Sequence, residues 1–147
     1  MKVRQSAMLI STKGRYALRV MLELSQNVEG YMPLPYIAQR QEISEKYLES
    51  IISMLVKAKM VEGQRGKGGG YRLSRKPEEY SVGEILRCAE GSLAPVSCLM
   101  GENTCPRAGK CKSLPVWEKL DELINDYLDS VTLSDVLSQS GGDTCGI

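Results

Sequence analysis

Met60-Val-Glu-Gly-Gln-Arg65-Gly-Lys-Gly-Gly-Gly70-Tyr-Arg-Leu73 reads as two short strands around a glycine turn. The spacing predicts one strand from Met60 to Arg65, a turn over Gly66-Lys-Gly-Gly-Gly70, and a returning strand over Tyr71-Arg-Leu73. The tip carries Arg65 and Lys67 on a backbone almost free of side chains, which lets two cations approach a crowded anionic surface closely. A nucleotide-phosphate cradle would need the G-x4-G-K-[ST] pattern after a strand, and the run lacks it. Immediately before the hairpin, Ser44 caps a predicted helix over 44–59 with Leu48, Ile51, Ile52, Leu55 and Val56 on one face. Before that, Pro35 suits the first turn of a short helix over 34–41, anchored by Tyr36 and Ile37. Two helices joined by the tight Gln41-Glu-Ile43 turn form a helix-turn-helix, and a basic hairpin directly after one makes a winged helix. The expected partner is double-stranded operator DNA.

Further upstream, residues 1–7 read as a loose leader, and a hydroxyl at Ser11 or Thr12 caps a helix running to about Gln26. Tyr16, Leu18, Val20, Met21 and Leu24 give it a helical stripe. Charge is divided unevenly along the chain. Residues 1–80 hold 14 Lys and Arg against 8 Asp and Glu, and residues 81–147 hold 5 against 10. The resulting balances of +6 and −5 suit a first half that meets a polyanion and a second half that does not.

Downstream, Ser81-Val-Gly-Glu84 matches a capping box that opens a helix to about Glu90. Cys88 lies on it near Ile85 and reads as a small buried hydrophobe. A loop over about 91–113 then holds Cys98-Leu-Met-Gly-Glu-Asn-Thr-Cys105-Pro-Arg-Ala-Gly-Lys-Cys111. Three soft ligands on a flexible backbone select zinc, copper(I) or an iron–sulfur cluster over hard cations, and they need one further ligand. Unrelated thiols or disulfides are the competing reading. The odd total of five cysteines and the lack of a charged-then-apolar opening segment weigh against it. Pro115 begins a long helix over about 115–131, with Trp117, Leu120, Leu123, Ile124, Tyr127, Leu128 and Val131 read as one apolar side. So broad a stripe calls for a partner, and helix-turn-helix proteins usually pair to read two half-sites. Trp117, Leu120, Ile124 and Tyr127 are therefore the expected dimerisation residues. The alternative is packing onto its own domain. Thr132 to Leu137 suggests a last short helix.

The fold class is therefore mainly α with a small β-hairpin. Residues 8–80 form the winged helix-turn-helix DNA-binding domain, 81–140 the cysteine loop and dimerisation helix, and 141–147 a flexible tail. Hydrophobic residues make up 42% of the 147, enough for a core despite one Trp and no Phe. No run approaches the ~18 apolar residues of a membrane helix, so the expectation is a cytoplasmic protein without a membrane partner. An enzyme built on a reactive cysteine is disfavoured, because a chain without histidine cannot form the usual Cys–His pair.

Ser11-Thr-Lys-Gly-Arg-Tyr-Ala17, Ile43-Ser-Glu-Lys-Tyr-Leu-Glu49, Arg65-Gly-Lys-Gly-Gly-Gly-Tyr71, Ser81-Val-Gly-Glu-Ile85 and the three cysteines together resemble the IscR type of winged-helix regulator, whose relatives include NsrR and CymR. The resemblance spans about residues 8–140. It implies a homodimeric bacterial transcription factor, mainly a repressor, holding an iron–sulfur cluster (2Fe–2S favoured, 4Fe–4S the other option) by Cys98, Cys105, Cys111 and one non-cysteine ligand. It further implies control of cluster-assembly genes, and DNA contacts at Ser44, Tyr47 and Glu49 on the recognition helix and Arg65 in the wing. Lys46 and Ser50 stand where IscR has serine and glutamine, and Lys67 replaces a proline, which adds a phosphate contact. Leu114 occupies the position of the IscR histidine ligand, and about Arg15 that of the NsrR aspartate. Cys145, Glu102, another carboxylate or an exogenous thiol are the remaining candidates. The other function in view is a winged-helix repressor of cysteine metabolism or stress genes, switched by thiol oxidation, nitric oxide or zinc.

Overall fold

A computed structural model of the chain describes residues 10–27, 29–99 and 109–139. Serine caps start three of its helices. Ser11, Ser44 and Ser81 each accept a hydrogen bond from the amide three residues on, at 3.2, 3.1 and 3.0 Å, and so satisfy donors a helix start leaves open. They precede α1 (Thr12–Ser25), α3 (Glu45–Lys57) and α4 (Val82–Glu90). Between the first two lies α2 (Leu34–Gln41), with proline in its first turn. It stops where Glu42 adopts left-handed backbone (φ 55°), and the chain turns into α3.

Strands β1 (Val61–Gln64) and β2 (Gly70–Leu73) pair antiparallel, Val61 opposite Leu73 and Gln64 opposite Gly70. A two-stranded hairpin is marginal by itself. This one is held from outside. Met32, just before α2, exchanges both backbone hydrogen bonds with Tyr71 at 2.8 and 2.9 Å, adding a one-residue third strand. At the base, the buried Tyr80 hydroxyl donates to the Met60 carbonyl (2.6 Å) and accepts from the Ser74 and Arg75 amides, both 3.0 Å.

One core gathers α1, α2 and α3 through Val20, Met21, Ile37, Ile51 and Leu55, and takes in Tyr80, Ile85 and Leu133 from beyond the wing. Each such side chain gains about 1.5–3 kcal/mol on burial, so this helical core holds the fold and the hairpin rides on it. After the cysteine loop, α5 (Leu114–Ser130) leads into α6 (Leu133–Gln139). The chain between them returns to the start of α4, with Val82 N–H bonded to Val131 O (2.8 Å) and Leu133 N–H to Tyr80 O (3.1 Å). Thr132 and Asp135 cap α6 reciprocally, each 3.0 Å.

The structure alters three sequence expectations. Val56 does not share the buried face of α3. It lies at the margin of the arc centred on Leu48 and Leu55, and is 39% exposed. β1 covers Val61–Gln64, without Met60 or Arg65, so Arg65 belongs to the turn, while β2 begins one residue earlier than expected, at Gly70. The α5 stripe is also not one face. Ile124 and Leu128 lean on a second cluster with Val82, Leu86 and Leu93. Val116, Leu123 and Tyr127 point away, 59%, 54% and 66% exposed. No described helix is long and apolar enough to cross a membrane.

Candidate nucleic-acid interface and cysteine loop

The first turn of α3 presents Glu45, Lys46, Glu49 and Ser50 on its exposed side. Ser44 and Ser50 already use their hydroxyls within the helix, Ser44 as cap and Ser50 as donor to Tyr47 O at 2.7 Å. Tyr47 is half-buried, its ring edge-on to Tyr16 of α1 with centroids 5.9 Å apart. Lys46 and Glu49 are exposed, and neither forms an ion pair among the described residues. The same holds for Arg65 and Lys67 at the wing tip. These four charges are therefore available to a ligand, whereas Arg72 of β2 is committed to Glu62 across the hairpin (2.5 Å).

The glycines of the wing are needed for close backbone approach. A Cβ on Gly69 would lie 2.2 Å from Gln64 O, and one on Gly70 would lie 2.4 Å from Met32 O. The latter also has φ +145°. The tip is closed by Gly69 N–H on Gly66 O at 3.0 Å. The two cations thus stand on a backbone fixed against both β1 and the entry to α2.

A charged network ties α1 to the end of α2, the first helix of the helix-turn-helix. Arg19 lies 4.8 Å over the Tyr16 ring and donates to both Oε1 and the backbone O of Gln41, each 2.9 Å. Gln41 Nε2 donates to buried Glu23 (2.9 Å), whose other oxygen takes Arg40. A buried carboxylate is stable only with such partners. Sequence reading missed this network. The one signal for it was Glu23 standing inside the stripe of Val20, Met21 and Leu24.

Of the predicted cluster ligands, Cys98 lies on a short 3₁₀ turn (Ser97–Leu99) and Cys111 just before α5. Both are half-buried thiols outside any disulfide. The Cys111 thiol is 3.2 Å from Ser113 Oγ. Cys105, Glu102 and Cys145 fall outside the described residues. Among the described residues no three His, Cys, Asp or Glu side chains gather as a metal site. Leu114 is the first residue of α5, and Arg15 is exposed on α1, donating to Thr12 Oγ1 at 3.2 Å. The donor chemistry that brackets the loop nonetheless fits a thiolate-held cluster: two partly accessible soft ligands outside any disulfide.

Cys88 is different. It packs half-buried against the main core, and burial pushes its thiol above the usual range, while nearby Lys13 opposes the shift. Because the thiolate is the reactive form, Cys88 should alkylate more slowly than an ordinary exposed cysteine near pH 8. Peptide mapping after brief iodoacetamide treatment checks this, and labelling of Cys88 ahead of Cys98 and Cys111 would refute it.

A family model, Rrf2, described as an iron-dependent transcriptional regulator, matches residues 10–139. The regulator IscR of Aliivibrio salmonicida is 37% identical over 131 residues, 88% of this chain and 77% of that one. Among solved structures, CymR, the global cysteine regulator of B. subtilis, superposes with a TM-score of 0.74 at 38% identity, covering 90% of this chain and 98% of that one. T. potens IscR gives 0.72 at 36% identity, covering 92% and 93%.

Proposed function

The chain belongs to the Rrf2 family of transcriptional regulators, and on that premise we propose that it is a cytoplasmic, homodimeric repressor whose grip on operator DNA is set by an iron–sulfur cluster in the cysteine loop. Genes for cluster assembly are the proposed targets. The observation that carries this reading is the loop itself: the half-buried Cys98 and Cys111 bracket it, with Cys105 between them in the sequence. When bound, a cluster supplies a redox- and iron-sensitive crosslink between the three thiolates, and 2Fe–2S suits a site with three cysteines and one other donor.

The chain's own residues do the rest. The exposed Val116, Leu123 and Tyr127 of α5 supply the apolar face for a second copy. Ile124 and Leu128 fix that helix to the body. Pairing through α5 brings two recognition helices to half-sites about one DNA turn apart. Lys46, Ser44, Tyr47, Glu49 and Ser50 face the major groove. The Glu49 carboxylate accepts from a cytosine amino group and repels other acceptors. Arg65 and Lys67 reach the flanking backbone or minor groove.

Anaerobic purification with visible absorbance, iron and sulfide analysis tests the cluster. A brown protein with about two iron and two sulfide per chain supports it. A colourless protein that resists reconstitution moves the function to a thiol switch. That second reading is favoured by the likeness to a global cysteine regulator. The DNA half is tested separately. Arg65→Ala should weaken operator binding by about 1–3 kcal/mol if it reads a base edge, and Lys67→Ala should lower the salt slope by about one. Anisotropy titrations that matched wild type for both variants would remove the wing from the interface.

A further inference from the structure

Glu90 is the last residue of α4, and its carboxylate is spent on another part of the chain. One oxygen accepts from the Ser11 amide (2.9 Å) and from the Ser11 hydroxyl (2.5 Å), at the very start of α1. Ser11 Oγ in turn accepts from Gly14 N–H at 3.2 Å. Gly14 is required for this arrangement, since a Cβ there would stand 2.3 Å from Glu90 Oε1. Ser11 alone would suffice to cap α1 locally, so the carboxylate is an added tie from a distant segment. It also places negative charge at the positive end of the α1 dipole.

The tie sits at the entrance to the cysteine loop. Gly91, at φ +81°, turns the chain out of α4 and into that loop. Leu93 is then buried among Leu18 of α1 and Ile124 and Leu128 of α5, shortly before Cys98. The root of the loop is therefore held at two points. From Ser11, α1 runs to Tyr16, whose ring meets Tyr47 of the recognition helix.

We infer that Glu90 is a positioning residue for DNA recognition, carrying the restraint of the loop's root into α1 and through the Tyr16–Tyr47 contact to the recognition helix. This deepens the proposed function, since it supplies the route by which the state of the loop reaches the DNA-reading face. A route of this kind has meaning only if coupling is measured along it.

The test uses full-length protein as wild type, Glu90→Ala and Glu90→Gln, with hydrogen exchange read by mass spectrometry. Glu90→Ala should speed exchange in residues 12–16 and also in 46–50, with residues 122–129 of α5 unchanged. Glu90→Gln, which keeps one accepting oxygen, should restore both segments. Acceleration confined to residues 11–14, or equal across the chain, overturns the inference. A second arm compares operator affinity of cluster-reconstituted and chelator-stripped protein. The ratio of the two affinities should move toward one by about fivefold or more in Glu90→Ala. An undiminished ratio in that variant also overturns it. A wild-type ratio already at one would instead strike down the cluster reading, and the exchange result would then decide the role of Glu90 by itself.

Discussion

Replacing Cys98, Cys105 or Cys111 by alanine, one at a time, is expected to abolish the visible chromophore that the proposed cluster gives anaerobically purified protein, while leaving the protein folded and in the wild-type oligomeric state. Loss should be near complete because a cluster held by three thiolates and one weaker donor loses a covalent anchor with each replacement. The fold should survive because the main core lies elsewhere: it is built from α1, α2 and α3, with Tyr80, Ile85 and Leu133 added. Far-UV circular dichroism and gel filtration report the fold, and absorbance reports the site. Undiminished cluster absorbance in any one variant would remove that residue from the ligand set.

Tyr80→Ala should be the most damaging single change to stability. Tyr80 is fully buried, and its hydroxyl bonds three backbone groups at the base of the hairpin. Truncating a large buried aromatic costs about 3–5 kcal/mol, before the stranded Met60 carbonyl and the two amides are considered. Tyr80→Phe separates the contributions, since it keeps the ring and should cost about 1–3 kcal/mol for the unpaired backbone groups. Urea unfolding of the three proteins checks both values. A Tyr80→Phe midpoint equal to wild type would show that water takes over from the hydroxyl.

The parts of the molecule that were legible from sequence are those where local rules and burial agree. Ser11 or Thr12, Ser44 and Ser81 announced three helix starts; Ser11, Ser44 and Ser81 make the caps, while the Glu84 carboxylate expected to complete the box at Ser81 pairs with Arg75. The glycine turn announced the wing. The α5 stripe was misread as one face because periodicity counts apolar residues without saying how many surfaces will cover them. Ile124 and Leu128 serve the body, and Val116, Leu123 and Tyr127 are left outward. Long-range polar ties left no sign in the sequence beyond Glu23 inside the α1 stripe. The Glu90–Ser11 bond spans most of the winged domain, and Arg19–Gln41–Glu23 joins two helices through side chains that look like ordinary surface residues in one dimension.

The wing's backbone bears on how such regulators change targets over time. Gly69 and Gly70 are walled in by Gln64 and Met32, so substitution there deforms the hairpin before it alters any contact with DNA. Lys46, Glu49, Arg65 and Lys67 meet no such barrier, being exposed and bound to no ion-pair partner among the described residues. On the proposed interface, new operator preferences would then arise by exchanging these few side chains on an unchanged frame. Divergence of regulons from a common ancestor would leave its record at those positions while Gly69 and Gly70, beyond Lys67, stayed silent.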